Sequence, residues 1–398
     1  MPEHIRLVIA LTVNKCAGIL LSAKTLLPGL VLAMGLPPWL VGWIVPVRES
    51  FSLLPQAALS VYLRNYSKRY WVWRMGMCVQ LLCTIGLIGM CWYAMHGHTQ
   101  IHAFLFALLF LATIAIYSIG RACSSLTVKD IQADVVEKGR RGSLIGNTTM
   151  LSGVLSIVIA LPIAIYPVFQ EQNSLLLLAL LSALMVGTAI FLMWPIRTEV
   201  MPDVEQDKKG PALQNLLPQL SKKARRFILV RAIFTHSALV APFFMLSQSS
   251  VAERLALYYL VAEALAALVA ARLWGKLSDK SARSTLRLSG GMAVSACVGL
   301  LLLQPDELWL SIGLFFLLSI AHTGVRNGRK TYTLDIEEGQ SRTELVGSAN
   351  TIIGLVLLIV GAVYAALQPW LGEGVVVIMT AMLTLGVAMT FTLAKEKD

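Results

Sequence analysis

Apolar residues occur along this chain in long blocks that short polar stretches separate. The hydrocarbon core of a bilayer is about 30 Å thick, and a helix needs about 20 apolar residues to cross it. Blocks of that length predict twelve membrane-spanning helices, six on each side of a polar stretch near residues 196–225. The predicted spans cover residues 7–33, 38–62, 72–95, 101–121, 143–168, 173–195, 226–247, 252–275, 287–304, 306–326, 344–368 and 373–394.

The overall composition favours membrane spans over a soluble domain. Hydrophobic residues make up 57% of the 398 residues and charged residues 14%, which departs from the composition of soluble globular proteins. The six cysteines lie in or beside the apolar blocks and include no CxxC pair. Neither a disulfide framework nor a metal site is therefore expected, and no cofactor is predicted.

Basic residues are distributed unevenly between the two sides of the predicted membrane. With both termini on one side, that side holds 27 Lys and Arg residues, whereas the connections on the other side hold only Arg254. Positively charged connections are retained in the cytoplasm, so we expect a multi-pass protein of the inner membrane with both termini cytoplasmic. This asymmetry also accounts for the net charge of +11. No nucleic-acid partner is expected, because the sequence contains no basic nucleic-acid-binding module.

A short motif follows the eighth predicted span. The loop has the sequence Gly275-Lys-Leu-Ser-Asp279-Lys-Ser-Ala-Arg283, and it resembles the G-x-L-x-D-R/K-x-G-R signature of the major facilitator superfamily. Its place between the second and third helices of a six-helix half is the place that the family uses, although Ala282 replaces the second glycine. The equivalent loop of the first half keeps only three residues of the second-half version, Leu63, Ser67 and Arg69.

Internal repeats relate the two halves of the chain. Matching Asn65 to Asp279 gives an offset of 214 residues, and the same offset carries Glu49 onto Glu263. Two carboxylates at membrane depth are therefore expected at equivalent places, as in transporters built from duplicated bundles. The loops after the fourth and tenth spans repeat at an offset of 205, which matches Arg121 with Arg326 and Asp130 with Asp335.

The resemblance implies a fold and a mechanism. The expected fold class is an all-α integral membrane protein with 12 transmembrane helices in two pseudo-symmetric six-helix bundles, residues 1–195 and 226–398, joined by a cytoplasmic loop at 196–225. Rocking of the halves would expose a central cavity to each side in turn. In the family the motif loop latches the halves, and a plain basic anchor loop is the alternative. Conformational-switch roles are therefore expected for Gly275, Asp279, Arg283, Arg121, Asp130, Arg326 and Asp335.

Ionisable side chains within the predicted spans are candidate site residues. Each costs at least about 2.5 to 3.5 kcal/mol in hydrocarbon, so it is expected to face protein or a water-filled cavity. In the first span, a polar stripe that includes Asn14, Lys15 and Ser22 follows one helical face. Packing is the alternative role for the membrane histidines. The predicted substrate cavity comprises Asn14, Lys15, Ser22, Arg48, Arg231, His236 and His322.

Two carboxylates are candidates for ion coupling. Glu49 lies at the predicted depth of Lys24, so we expect an ion pair with Lys24 or with Arg48; a closed structural ion network is the alternative. Glu263 has no basic residue three or four positions away on its own helix, and an unpaired carboxylate in an apolar setting can exchange protons. Glu263 is therefore the predicted proton-coupling residue, with Glu49 second. A hydrogen bond to a neighbouring helix, or a pair with Arg231, is the structural alternative for Glu263.

The charges of the predicted cavity indicate the kind of solute. Lys15, Arg48 and Arg231 outnumber the carboxylates, which favours anions over cations. The predicted function is proton-coupled secondary transport of a small anionic organic solute by a monomer in contact with membrane lipids. The alternative is a proton-driven exporter of drugs or of a carboxylate siderophore, and a channel or a lipid-handling protein is a rival class. No enzyme is expected, because the sequence has no nucleophile elbow, phosphate loop or HExxH motif.

Overall fold

The computed structural model describes residues 2–64, 66–96, 103–137, 141–166, 171–197, 221–302, 307–336 and 339–394. Over these residues the regular structure is helical, with short 3₁₀ turns at Ser249–Val251 and Thr390–Thr392. Of the predicted central loop, residues 198–220 lie outside the described ranges.

The two halves of the chain have similar orders of helices. The N-terminal half contains α1 (Glu3–Leu20), α2 (Leu26–Ala33), α3 (Trp39–Leu53), α4 (Gln56–Arg64), α5 (Arg69–His96), α6 (Ala103–Val135), α7 (Arg141–Ile165) and α8 (Glu171–Met193). The C-terminal half contains α9 (Lys222–Ile233), α10 (His236–Leu239), α11 (Ala241–Leu246), α12 (Ala252–Lys280), α13 (Ala282–Leu302), α14 (Leu308–Ile336), α15 (Gly339–Leu371) and α16 (Gly374–Met389).

Most of these helices are long enough to cross a membrane. Within the described ranges, nine segments have the required length and apolar character, counting α9–α11 as one, and the bent helix α12 is a tenth. The first two predicted spans are occupied by the pairs α1/α2 and α3/α4, each of which is interrupted along its length. This order of segments agrees with the predicted all-α fold of two six-segment bundles.

Prolines interrupt the first and seventh spans at equivalent places. Pro28 lies in the first turn of α2 and Pro242 in the first turn of α11, and the two prolines are 214 residues apart. Proline has no amide hydrogen, and its ring crowds the carbonyl four residues earlier. The carbonyl of Lys24 therefore accepts no helical hydrogen bond from position 28. As a result, the backbone between α1 and α2 can leave the helical path.

Helices of the two halves meet along two seams. Helix α3 packs on α15, and α7 packs on α12. Gly361 on α15 faces Pro46 on α3 so closely that a Cβ at position 361 would overlap the proline ring. Helix α2 also packs on α12, where Gly29 faces Ala256 in the same way. Glycine permits these close approaches because it has no side chain.

The ends of the bundle differ in how the halves meet. We call the end at the α4–α5 and α12–α13 turns the basic face, and the end at the α2–α3 and α15–α16 turns the opposite face. Near the opposite face, α2 packs on α12, and α10 and α11 pack on α3. Near the basic face, α9 packs on α14, α15 and α16 of its own half. The first and seventh spans therefore join the halves mainly near the opposite face.

Large apolar side chains cover the outside of the bundle. Leu82 on α5, Phe191 on α8, Leu302 on α13 and Val377 on α16 are exposed. An extended apolar surface of this kind fits lipid. These helices are the third, sixth, ninth and twelfth segments, whose predicted interiors contain no ionisable residue.

Candidate functional site

Charged side chains from both halves meet between the bundles. Lys15, Lys24, Glu49 and Arg121 of the N-terminal half all lie within electrostatic range of Arg326 on α14. We call this region the charged cleft. Its members are Lys15, Lys24, Glu49, Arg121, Arg231, Glu263, His322, Arg326, Arg329 and Lys330.

Solvent reaches the charged cleft. The side chains of Glu49 and Arg121 are 37% and 36% exposed, and Arg326 and Lys330 are exposed as well. Ionisable residues at membrane depth face the bundle interior or a water-filled cavity. Charged side chains of both halves are therefore accessible to solvent in the charged cleft.

Glu263 on α12 links the two halves. Its carboxylate accepts a hydrogen bond from Ser22 Oγ at 2.6 Å and a longer one from Thr25 Oγ1 at 3.5 Å. Lys24 Nζ lies 4.0 Å from Glu263 Oε1. Ser22, Lys24 and Thr25 belong to the interrupted segment between α1 and α2, so the break at Pro28 is what allows three polar side chains to turn toward one carboxylate. Glu263 thus has both a hydrogen bond to a neighbouring span and a cationic partner, which is Lys24 instead of Arg231.

The predicted ion pair between Lys24 and Glu49 is wrong. Lys24 pairs with Glu263, and Glu49 Oε1 lies 3.9 Å from Arg121 Nη1 on α6. Lys24 and Glu49 are still within electrostatic range of each other. The pair was predicted from depth along the helices. Depth does not determine which neighbouring helix a side chain faces, and that orientation decides the pairing.

Lys15 connects two helices of the N-terminal half. Its Nζ donates hydrogen bonds to Thr148 Oγ1 at 2.7 Å, Thr149 Oγ1 at 2.8 Å and the Ile145 carbonyl at 3.2 Å, all on α7. An ammonium group has three donors, and these three neutral oxygens occupy them. Lys15 lies beside the charged cleft, and Asn14, the preceding residue, is half-buried on the same helix.

Arg48 and His236 do not line the cleft, contrary to the prediction. Arg48 is 3% exposed; it donates to the carbonyl of Leu21, at the C-terminal end of α1, and lies 5.4 Å from the ring of Tyr117. A cation at a helix C-terminus is stabilised by the helix dipole. His236 is 2% exposed and its ring nitrogens contact the Ile233 carbonyl at 2.6 Å and Tyr364 Oη at 2.8 Å. Both residues stabilise interrupted spans, which is the packing role considered for the histidine.

Arg231 takes part in a chain of hydrogen bonds between the halves. Its Nη2 donates to Asn350 Oδ1 at 2.6 Å, and Asn350 Nδ2 donates to Gln56 Oε1 at 3.0 Å. Gln56 in turn donates to the carbonyl of Ser52 at 2.8 Å. We call Arg231, Asn350 and Gln56 the polar bridge. It connects α9 and α15 of one half to α4 of the other.

His322 lies on the C-terminal side of the cleft. Its Nδ1 is 3.2 Å from Ser237 Oγ, and its ring is within electrostatic range of Lys24, Arg326 and Arg329. The residue is partly exposed. His322 therefore lies beside the charged cleft, and its role in binding a substrate stays a prediction.

Three cations of α14 were missing from the predicted cavity. The predicted tenth span ended at residue 326, but α14 continues to Ile336, so Arg326, Arg329 and Lys330 lie on the helix and not in a connecting loop. Residues three and four apart share a helical face, and the 322, 326, 329, 330 spacing continues the face of His322. That spacing was the sequence signal that could have placed these cations on the same helical face as His322. Among the described side chains, none of the three cations has a carboxylate within 4.0 Å.

The predicted switch residues have different surroundings in the two halves. Asp130 Oδ2 lies 3.5 Å from Arg69 Nε, within the N-terminal half. Arg283 Nη1 donates to the Leu393 carbonyl at 3.4 Å, within the C-terminal half. Asp279 is exposed and Gly275 has open space around it. Asp335 belongs to the end of α14 whose side chains are not described. Arg121 and Arg326 lie in the charged cleft.

Two repeated halves of membrane-length helices around a central charged cleft are typical of polytopic transporters. The sequence model of the Major Facilitator Superfamily matches residues 16–363, which is most of the chain. The chain therefore belongs to the Major Facilitator Superfamily. No curated protein sequence matches it significantly.

Solved transporter structures share this fold at low sequence identity. A mutant of the nucleoside transporter NupG is 10% identical, covers 99% of this chain and 100% of its own, and gives a TM-score of 0.75. The xylose transporter XylE from E. coli, in a partially occluded inward-open conformation, is 11% identical over 99% and 98% of the two chains, with a TM-score of 0.71. A bacterial homologue of the iron transporter ferroportin gives 0.68 in its inward-facing state, with 13% identity over 98% of both chains. Its outward-facing state gives 0.58, with 14% identity over 99% of both chains.

Proposed function

We propose that this protein is a proton-coupled secondary transporter of a small anionic organic solute in the inner membrane. The observation that carries the proposal is the charge of the cleft. Seven cations, namely Lys15, Lys24, Arg121, Arg231, Arg326, Arg329 and Lys330, face two carboxylates, Glu49 and Glu263. A cleft with one dominant sign of charge and low-dielectric walls concentrates solutes of the opposite sign.

Orientation and conformational state have independent support. The basic face carries nearly all of the lysines and arginines in the predicted connections, so we assign it to the cytoplasm, with both termini. Packing of α2, α10 and α11 on the other half supports a closed opposite face. The greater similarity to the inward-facing than to the outward-facing ferroportin homologue agrees with a cleft open to the cytoplasm.

Glu263 is the proposed site of proton coupling. Its carboxylate holds Ser22 and Lys24 of the other half. Neutralising the carboxylate by a proton removes the charge that attracts Lys24 and weakens the hydrogen bond that Ser22 donates. Protonation would therefore loosen a contact that joins the halves, which is how binding a proton changes the balance between two conformations.

Transport by purified protein in liposomes tests the proposed solute class. A panel of labelled organic anions, organic cations and neutral sugars is offered with and without an imposed pH gradient. We expect uptake of anions that the gradient accelerates. Uptake restricted to cations or neutral solutes would refute the proposal.

The coupling residue is tested separately with Glu263→Gln. We expect this variant to exchange labelled anion across the membrane but to lose acceleration by the pH gradient. Glu253→Gln is the matched control, because Glu253 is on the same helix and contacts Gln172 at 3.2 Å away from the cleft. Gradient-driven uptake that is equal in Glu263→Gln and Glu253→Gln would remove Glu263 from the coupling mechanism.

Export of a carboxylate siderophore is the second candidate, because the same excess of cations suits it. Everted and right-side-out vesicles distinguish the two directions: an exporter accumulates its solute in everted vesicles when the interior is acidified.

A further inference from the structure

We propose that the transported anion carries at least two negative charges and is held by Arg326, Arg329 and Lys330, which we call the α14 triad. This inference rests on the proposed function and narrows its substrate class. It assigns a binding role to cations that the sequence placed in a connecting loop.

The other cations of the cleft have partners in the protein. Lys24 pairs with Glu263 at 4.0 Å and Arg121 with Glu49 at 3.9 Å. Lys15 donates to three oxygens of α7, and Arg231 donates to Asn350. Both carboxylates of the cleft are thus already engaged, one in each half.

The α14 triad has no such compensation among the described side chains. None of its members has a carboxylate within 4.0 Å, and the buried Nε of Arg329, like that of Arg231, has no hydrogen-bond partner there. The charges within electrostatic range include further cations, namely Arg121 for Arg326, Arg231 for Arg329 and Lys129 for Lys330. Glu49 is within electrostatic range of Arg326 and Arg329, but it pairs with Arg121. Nearly all buried donors in proteins have a hydrogen-bond acceptor. An unpaired buried donor is therefore a candidate position for an acceptor atom of a bound ligand.

The geometry of the triad suits an anion with several oxygens. At about 100° per residue, the three side chains occupy an arc of roughly 100° on one side of α14, and they are spread over about 6 Å along its axis. A guanidinium binds carboxylate or phosphate through two parallel hydrogen bonds, and an ammonium acts as a point charge. Two guanidinium groups and one ammonium group at this spacing can hold two carboxylates or one phosphate group.

The number of charges sets the substrate class. A monoanion would leave two triad cations uncompensated beside Arg121 and Arg231. A dianion or trianion would compensate most of the triad, so each additional negative charge adds attraction in a setting of lower dielectric than water. We therefore expect organic dicarboxylates, tricarboxylates or phosphate esters.

Competition by a matched series of compounds tests this assignment. Butyrate, succinate and tricarballylate have similar carbon chains with one, two and three carboxylates, and glycerol with glycerol 3-phosphate gives a neutral and a phosphorylated pair. The measurements are inhibition of labelled-anion uptake in liposomes and thermal stabilisation of the purified protein. We expect both effects to increase with charge and to decrease as salt increases.

Variants of the triad connect the effect to its residues. Arg329→Gln and Lys330→Gln should weaken binding of the dianion and trianion about tenfold each, the loss expected for a hydrogen bond to a charged group, while binding of butyrate changes little. Arg329→Lys keeps the positive charge but loses the two parallel hydrogen bonds of the guanidinium, so it should give an intermediate loss of affinity. This variant replaces Arg329→Gln if the latter does not fold. Arg254→Gln is the control, because Arg254 is exposed at the opposite face.

The outcomes separate this inference from the proposed function. Equal competition by butyrate, succinate and tricarballylate, or triad variants that behave like Arg254→Gln, would overturn the triad assignment and leave an anion transporter. Transport of cations or neutral solutes, with no anion recognised at any charge, would remove the proposed function itself.

Discussion

The two halves contain equivalent carboxylates that have different partners. Glu49 pairs with Arg121 of its own half, whereas Glu263, its counterpart 214 residues later, pairs with Lys24 of the other half. Arg326 matches Arg121 in the repeat, and strict symmetry would have paired it with Glu263. The interrupted segment before Pro28 supplies Ser22 and Lys24 in its place.

Two consequences follow from this difference. The carboxylate of the C-terminal half depends on how the halves are placed relative to each other, and that of the N-terminal half does not. Arg326 is left without a carboxylate within 4.0 Å among the described side chains, which makes the positive charge of the cleft unequal between the halves. Residues at equivalent places of the repeat therefore have different electrostatic surroundings in the two halves, and the proposed coupling and binding roles rest on that difference.

Exchanging the charges of Lys24 and Glu263 is the strongest test of the contact between the halves. Glu263→Lys alone places two ammonium groups together, and we expect the free energy of unfolding to fall by about 3 kcal/mol, as when a largely buried pair is broken. Lys24→Glu combined with Glu263→Lys should recover most of the loss. Thermal unfolding of the purified protein in detergent measures both effects.

A second exchange serves as the control for this comparison. Lys24→Glu combined with Glu49→Lys should stay as unstable as the worse single variant, because Glu49 faces Arg121. Recovery in this combination, and none with Glu263→Lys, would mean that Lys24 pairs with Glu49 after all.

Close packing of the halves is tested at Gly361. In Gly361→Ala the new methyl would overlap Pro46, so α15 and α3 must separate; overpacking of this kind costs about 2 kcal/mol. Gly89→Ala is the matched control, because a Cβ at Gly89 on α5 meets no atom within 4 Å. An unchanged thermal unfolding temperature in Gly361→Ala would show that α15 and α3 are not in close contact at this position.

The ion pair within the N-terminal half should contribute less than the pair between the halves. Glu49 and Arg121 are 37% and 36% exposed, and solvent-exposed pairs contribute up to about 1 kcal/mol. A double-mutant cycle with Glu49→Gln and Arg121→Gln, read by thermal unfolding, should therefore give a coupling energy below that of Lys24 and Glu263. If the Glu49–Arg121 pair had the larger interaction energy, the contact of Glu263 with Lys24 would not be the stronger of the two ion pairs. The proposed role of Glu263 in proton coupling would then lose its support.

Sequence alone predicted the architecture because its signals are local. The length of the apolar blocks, the basic connections and the repeat of Glu49 at Glu263 all depend on residue type and spacing. The two-bundle fold and the family were confirmed. Pro28 and Pro242 repeat at the same offset, and they were an unused signal for the interruptions in the first and seventh spans.

The site was predicted less well, because its contacts depend on which helices are neighbours. Arg48 and His236 are ionisable residues inside predicted spans, which is what a cavity residue would be. Both nevertheless contact backbone carbonyls at the ends of interrupted helices. Lys24 was given the wrong partner. Arg329 and Lys330 were missed because a hydropathy window ends at the first cluster of charges, although the helix itself continues.

The smallest expected effect concerns the polar bridge, a second polar contact between the halves. Asn350→Asp keeps an acceptor for Arg231 and loses the amide that donates to Gln56. One neutral hydrogen bond at a half-buried position contributes about 0.5 kcal/mol, and the stronger contact of a carboxylate with Arg231 acts in the opposite direction. We therefore expect Gln56→Leu to lower the thermal unfolding temperature slightly and Asn350→Asp to leave it unchanged or raise it. A large loss in Asn350→Asp would show that the amide contact to Gln56, and not the guanidinium contact to Arg231, holds this part of the halves together.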